Sequence, residues 1–164
     1  MTVEEIGAKY VGLVAEPIVS EVEAGAIKRY IQAVQDYNPV YYDVEQARAS
    51  RFGGIVAPPG FFGWPAKVSA DPTAMFPPIM MGLITDLMAA GFPGLLDGGI
   101  EYDFYLPVRA GDVLSSTMKV ESITEKTGKT GGKMVVAVIS TSQINQNGEV
   151  ACVARQSMVL RSLG

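Results

Sequence analysis

The sequence predicts an α+β domain, with helices in an irregular first half and one antiparallel sheet in the second. Two periodicities and one turn predict it. Ile27, Tyr30, Ile31 and Val34 recur at the i, i+3, i+4, i+7 spacing of a helix face. From Gly99 onward the apolar residues follow the period of a strand. Asn147-Gly148 stands between two such runs, the strongest short signal for a hairpin. The chain has 164 residues, which suits one domain over 1–164 with a full core.

Taken in order, Ser20-Glu21-Val22-Glu23 reads as a capping box opening the first helix. Pro39 ends that helix, because the residue before a proline is pushed out of the α region. A second helix is expected over Asp43 to Ser50, with Asp43 as N-cap. Gly53-Gly54 breaks the chain. Pro58-Pro59-Gly60 then leads into Phe61-Phe62-Gly63-Trp64, where prolines suit the first turn of a third helix. Residues 70–98 are rich in Gly, Pro and Met and carry little pattern apart from a helix near Met80 to Ala90.

The strands follow. Ile100 to Leu106 is the first, and Pro107 to Asp112 is a turn. Val113 to Thr124 places Leu114, Met118 and Val120 on one face. Lys133 to Ile144 contains Met134-Val135-Val136-Ala137-Val138-Ile139, apolar on both faces and therefore central. Val150 to Leu160 is the last strand of the expected meander.

Composition excludes several functions. There is no histidine, so the chain supplies no Ser-His-Asp or Cys-His centre and no histidine metal ligand. The single cysteine, Cys152, leaves no intramolecular disulfide and no cysteine-rich zinc site. It alternates with Val150 and Ala154 and reads as a small core residue. A net charge of −4 argues against nucleic acid. The most apolar window, Phe76 to Leu96, is broken by Asp86, three glycines and three prolines, so no membrane span is expected. Met1-Thr2-Val3-Glu4-Glu5 does not read as a secretory signal, and a cytoplasmic location is expected. Charged residues make up only 18% against 48% apolar, which points to a subunit interface or a deep apolar pocket.

Asp36-Tyr37-Asn38-Pro39-Val40-Tyr41-Tyr42-Asp43 concentrates the chemistry: two carboxylates, an amide and three phenols at a helix-to-loop junction. A carboxylate there can activate water and a phenol can donate a proton. The same residues also suit an ordinary capped helix end. At Ala57-Pro58-Pro59-Gly60, a glycine N–H in a first helical turn could polarise a thioester carbonyl. Gly128-Lys129-Thr130 lacks the upstream glycine of a phosphate loop and reads as a hairpin loop. Met75, Met80, Met81 and Met88 read as soft packing, which would also suit a flexible acyl chain.

In order and spacing, these pieces resemble the MaoC-like dehydratases, and more narrowly their N-terminal dehydratase type. The resemblance runs through Ala24-Gly25-Ala26-Ile27, Asp36 to Tyr41 and Gly53-Gly54-Ile55-Val56-Ala57-Pro58-Pro59. It continues through Leu96-Asp97-Gly98-Gly99, Pro107 to Asp112 and Asn145 to Glu149. It implies a hotdog fold, a long central helix wrapped by a curved antiparallel sheet. It also implies a homodimer, or a heterodimer with another hotdog subunit, acting on acyl thioesters of CoA or a carrier protein without metal or cofactor. The family signature is Asp-x-Asn-Pro-(Ile/Leu)-His. Carried across, it assigns catalysis to Asp36, Tyr41 and Gly60, and substrate contact to Asn38, Pro59 and Phe61. Tyr41 stands where the family has histidine. The implied activity is reversible hydration of an enoyl thioester. The alternatives are a non-catalytic partner subunit shaping the acyl tunnel, or a hotdog thioesterase.

Overall fold

Thr2 opens a helix that the sequence reading missed. The computed structural model describes residues 1–62, 77–128 and 131–162. Its first element is α1, Val3–Tyr10. Thr2 Oγ1 accepts from the Glu5 N–H at 3.2 Å, and Glu5 Oε2 accepts from the Thr2 N–H at 2.7 Å. The capping box therefore lies here and not at Ser20. Ser20 belongs to a short strand, β1 (Ile18–Glu21), and the next helix, α2 (Ala24–Val34), follows Glu23 without a side-chain cap. α2 also stops short of Pro39, because Gln35 adopts the left-handed conformation at φ 58°. The expected face is partly realised: Ile27 and Ile31 are buried, whereas Val34 is half exposed.

α3 (Val44–Ala49) is capped as expected, with Asp43 Oδ1 accepting from the Gln46 N–H at 3.0 Å. The helix expected at Pro58-Pro59 is a single 3-10 turn, Pro59–Phe62. Its expected continuation through Trp64, and Met75, lie outside the described residues. α4 (Pro78–Ala89) is apolar nearly all round, the pattern of a helix surrounded by protein. Met80, Leu83, Ile84 and Leu87 are buried in it, but Met81 and Met88 face outward and are not part of any packing run.

Four long strands complete the chain: β2 (Gly94–Phe104), β3 (Val113–Thr127), β4 (Lys133–Ile144) and β5 (Val150–Arg161). The order is β1-β3-β4-β5-β2, antiparallel throughout. The expected meander holds for β3, β4 and β5. β2 departs from it: it crosses to the far edge and pairs with β5. β2 also begins at Gly94, because Gly98-Gly99 forms a bulge inside the strand. Its carboxylate supports the bulge: Asp97 Oδ1 accepts from the Gly99 N–H at 2.9 Å, and Gly99 sits at φ 106°.

β4 is central, as the apolar run requires. Its inner residues Val135, Ala137 and Ile139 are buried, while Met134, Val136 and Val138 on the outer face stay half exposed. The inner face curls around α4. Leu83, Ile84 and Leu87 pack with Val120, Val135, Ala137, Ile139, Met158 and Leu160 in one apolar cluster with α1. Lys9 and Tyr10 bond Asp86 Oδ2 at 2.7 and 2.8 Å and tie α1 to α4. A second cluster joins α2 to the other end of the sheet through Ile27, Ile31, Phe61, Val108, Leu114 and Ala151. The candidate site lies at this second cluster.

Candidate active site

The segment after α2 is built by its own side chains. Asp36 Oδ1 accepts from the Asn38 N–H and Asn38 Oδ1 from the Val40 N–H, both at 3.3 Å. Asn38 thereby caps a 3-10 turn, Pro39–Tyr41, whose first residue is the proline. This turn points alternate phenols in opposite directions. Tyr41 packs, half buried, against the second cluster. Tyr37 and Tyr42 are exposed and, with Lys28, Ile31 and Gln32, line an open cleft of about 180 Å³.

Tyr41 is a perturbed phenol. Burial raises the Tyr41 phenol above the ordinary tyrosine value, and the negative charge of Asp36 raises it further. The hydroxyl is thus held as a donor. Asp36 itself is exposed to water.

Gly60 occupies the second position of the 3-10 turn and is exposed, as is Pro59, while Phe61 is buried. The phenol nearest Gly60 is Tyr30 of α2. A Cβ built on Gly60 would lie 2.1 Å from Tyr30 Oη. Tyr30 also meets Phe61 edge to face, with ring centroids 5.9 Å apart. Sequence reasoning treated Tyr30 as a helix-face residue and missed this placement. Its i+3 relation to Ile27 was the visible signal, but the approach of residue 60 was not.

The 107–112 turn is a latch. The Ala57 N–H donates to the Val108 carbonyl at 2.8 Å and the Ala110 N–H to Ile55 at 3.2 Å. Gly111, at φ 93°, donates to Val22 at 2.8 Å, beside the start of α2. Asp112 accepts from the Arg109 N–H at 2.7 Å and from Gln146 Nε2 at 3.0 Å. The loop bearing Gly60, the root of α2 and the β4–β5 turn are therefore held by one element.

The structure thus sets Gly60 and Phe61 beside Tyr30, and lets the charge of Asp36 act on the Tyr41 phenol. Tyr41, Tyr30 and Phe61 share the second cluster. Cys152 is fully buried, and its thiol is pushed up to about 11, first by burial and then by the charge of Asp103. That environment suits a packing residue and not a nucleophile. Among the described residues no group of His, Cys, Asp or Glu is placed to hold a metal ion, and no helix is long and apolar enough to cross a membrane.

A family model described as the FAS1-like dehydratase domain region matches residues 9–154. The probable enoyl-CoA hydratase alpha subunit of Thermomonospora curvata is 31% identical over 137 residues. That match covers 79% of this chain, but the chain spans only 41% of that relative's length. Among solved structures, the ChsH1-ChsH2 complex of Mycobacterium tuberculosis superposes with a TM-score of 0.77 at 20% identity, covering 98% of this chain and 94% of that one. The MaoC-like dehydratase of Rhodospirillum rubrum superposes with a TM-score of 0.59 at 25% identity, covering 94% of each chain. Together with a curled antiparallel sheet wrapped on α4, these findings place the chain in the MaoC-like, hotdog-fold dehydratase family, within its FAS1-like dehydratase region.

Proposed function

We propose that the chain is the acyl-thioester-binding half of a two-chain, cytoplasmic hotdog hydro-lyase and is a weak hydratase by itself. The observation that carries this reading is the half-buried Tyr41 phenol, held in its protonated form by burial and by the charge of Asp36 at the end of the same turn. Hydration of a 2,3-enoyl thioester needs a base to take a proton from water as its oxygen bonds to C3. The displaced π electrons move onto the thioester oxygen, and an acid then protonates C2. Asp36 can take the first proton, and the Gly60 N–H can receive the developing oxyanion. Tyr41 can give the second proton but cannot serve as a base near neutral pH, because its phenol is raised. No metal or redox cofactor is needed, since the thioester itself acidifies the α-carbon.

The upward shift of Tyr41 favours a second reading as well, in which the chain binds the acyl group and an unlike hotdog partner provides acid and base. The relatives named as a hydratase alpha subunit and as a two-chain complex support a role in a pair. Hydration of crotonyl-CoA by wild type and Tyr41→His separates the two. A weakly active wild type with a gain of about 10²–10⁴-fold on restoring the imidazole supports the hydratase half. Thioester binding without a gain supports the binding subunit. Absence of thioester binding in calorimetry ends both readings.

A further inference from the structure

We infer that Ser116 and Gln143 form a polar receptor in the inner face of the sheet, and that the acyl group bound by this chain carries a hydroxyl that the pair recognises. The inference names the substrate class of the proposal above and rests on it.

Ser116 and Gln143 are directly opposed on β3 and β4 and are 6% and 1% exposed. Both lie on the inner face: Ser116 alternates with the buried Leu114 and Met118, and Gln143 keeps the alternation of the buried Val135, Ala137 and Ile139. Among the described residues, Ser116 Oγ and Gln143 Oε1 have no hydrogen-bond partner, so they do not bond each other either. Buried polar atoms are ordinarily paired, because leaving one bare costs stability. Two bare atoms on opposed residues suit a third group lodged between them.

A packing boundary runs through the pair. Leu114 belongs to the cluster of α2 and Met118 to the cluster of α4, with Ser116 between them. On β5, Gln143 pairs with Cys152 and Thr141 with Ala154. Cys152 and Ala154 are buried yet join neither cluster. Small and polar side chains thus form a seam between two apolar bodies. The seam adjoins the candidate site. Tyr41, Phe61 and Leu114 share the second cluster, and Ser116 stands two residues beyond Leu114, roughly 7 Å along the strand. An acyl chain whose thioester lies at Gly60 meets the pair by running along the sheet past Leu114.

The chemistry of the pair selects the group. Gln143 Oε1 can only accept, whereas the Ser116 hydroxyl can donate or accept. A hydroxyl on the acyl chain donates to Gln143 and accepts from Ser116, which satisfies both atoms at once. A ketone has no donor and leaves Oε1 bare. An ammonium brings an unpaired charge into an apolar interior, at far greater cost. A plain methylene chain satisfies neither atom.

Calorimetry with butanoyl-, hexanoyl-, octanoyl- and decanoyl-CoA, each beside its ω-hydroxy counterpart, tests this. The series moves the hydroxyl stepwise along the chain. At one length the hydroxylated ligand should bind about tenfold or more tightly than the plain one, since a site built to hydrogen-bond a hydroxyl rejects the analogue that lacks it. Ser116→Ala with Gln143→Met should reverse that preference, and each single variant should reduce it. The wild-type series stands by itself if a variant fails to fold. Equal affinity at every length, the result expected if a buried water serves both atoms, overturns the inference and leaves the functional reading intact. A preference that survives in the folded double variant overturns it too. Failure of every acyl-CoA to bind ends the functional reading, and this inference with it.

Discussion

The hydroxyl of Tyr30 fills the space that a side chain on residue 60 would take, with Oη 2.1 Å from the position of a Cβ on Gly60 and Cζ at 3.2 Å. Residue 60 is therefore glycine for steric reasons, independent of any part its N–H plays with a ligand. The same contact sets the phenol of α2 against the loop that the 107–112 turn holds in place.

Gly60→Ala should destabilise the protein by about 1–3 kcal/mol, the usual cost of forcing a packed neighbour aside. Tyr30→Phe removes the oxygen that the methyl would meet. The double variant should therefore recover much of the loss, giving a coupling of about 0.5–3 kcal/mol in a double-mutant cycle. Urea unfolding of the four proteins measures it. Additive losses would mean that Tyr30 moves away freely.

Asp36→Asn keeps the shape of the loop, and the amide oxygen can still accept from the Asn38 N–H. Folding should change by less than about 0.5 kcal/mol at this exposed position. Any enoyl-thioester hydration by the chain should fall by about 10²–10⁴-fold. A full rate in the variant removes Asp36 from the chemistry.

Cys152 makes stability depend on alkaline pH. Its thiol ionises near about 11 in the folded protein, against 9.0 for an unperturbed thiol. The folded state keeps the proton after the unfolded chain has lost it. Stability is therefore intact below pH 9 and falls as pH rises through 9 to 11, by about 2–3 kcal/mol in all. Cys152→Ala should lose less over this range than wild type. Urea midpoints for both proteins at pH 8 and pH 10.5 give the comparison, and parallel losses would refute the assignment.

Ser116 and Gln143 face each other across β3 and β4, 6% and 1% exposed, and among the described residues neither Ser116 Oγ nor Gln143 Oε1 has a hydrogen-bond partner. A buried polar atom without a partner costs about 1–3 kcal/mol. Replacing both by apolar groups, as Ser116→Ala with Gln143→Met, should leave stability unchanged or raise it by about 1 kcal/mol. Thermal unfolding provides the check. A large loss would show that the pair makes bonds in solution.

The sheet was legible because strands leave a local signature. β4 was bounded by its apolar run, and the Asn147-Gly148 turn by the positive φ of 79° that Gly148 supplies. Asp43 was legible as a cap because capping joins residues three apart. The Ser20 capping box failed because the same local pattern also fits a chain that pairs as a strand, and Ser20 pairs with Leu114, far along the sequence. The site was half legible. The Asp36–Tyr41 junction is contiguous, so the sequence alone could offer it as a candidate, whereas Tyr30 and Gly60 meet through a fold that no local pattern encodes.

By itself, the sequence determined the class of the protein, its strand-rich second half, the absence of histidine chemistry and the segment where a carboxylate and a phenol lie together. These follow from composition and short-range geometry, which act within a few residues. Only the tertiary structure decided that β2 crosses to the outer edge, that α4 is the helix the sheet wraps, and that Tyr30 closes on Gly60. Each is a contact between residues far apart in the chain. Such contacts are selected by burying apolar surface collectively, and no single segment records that choice.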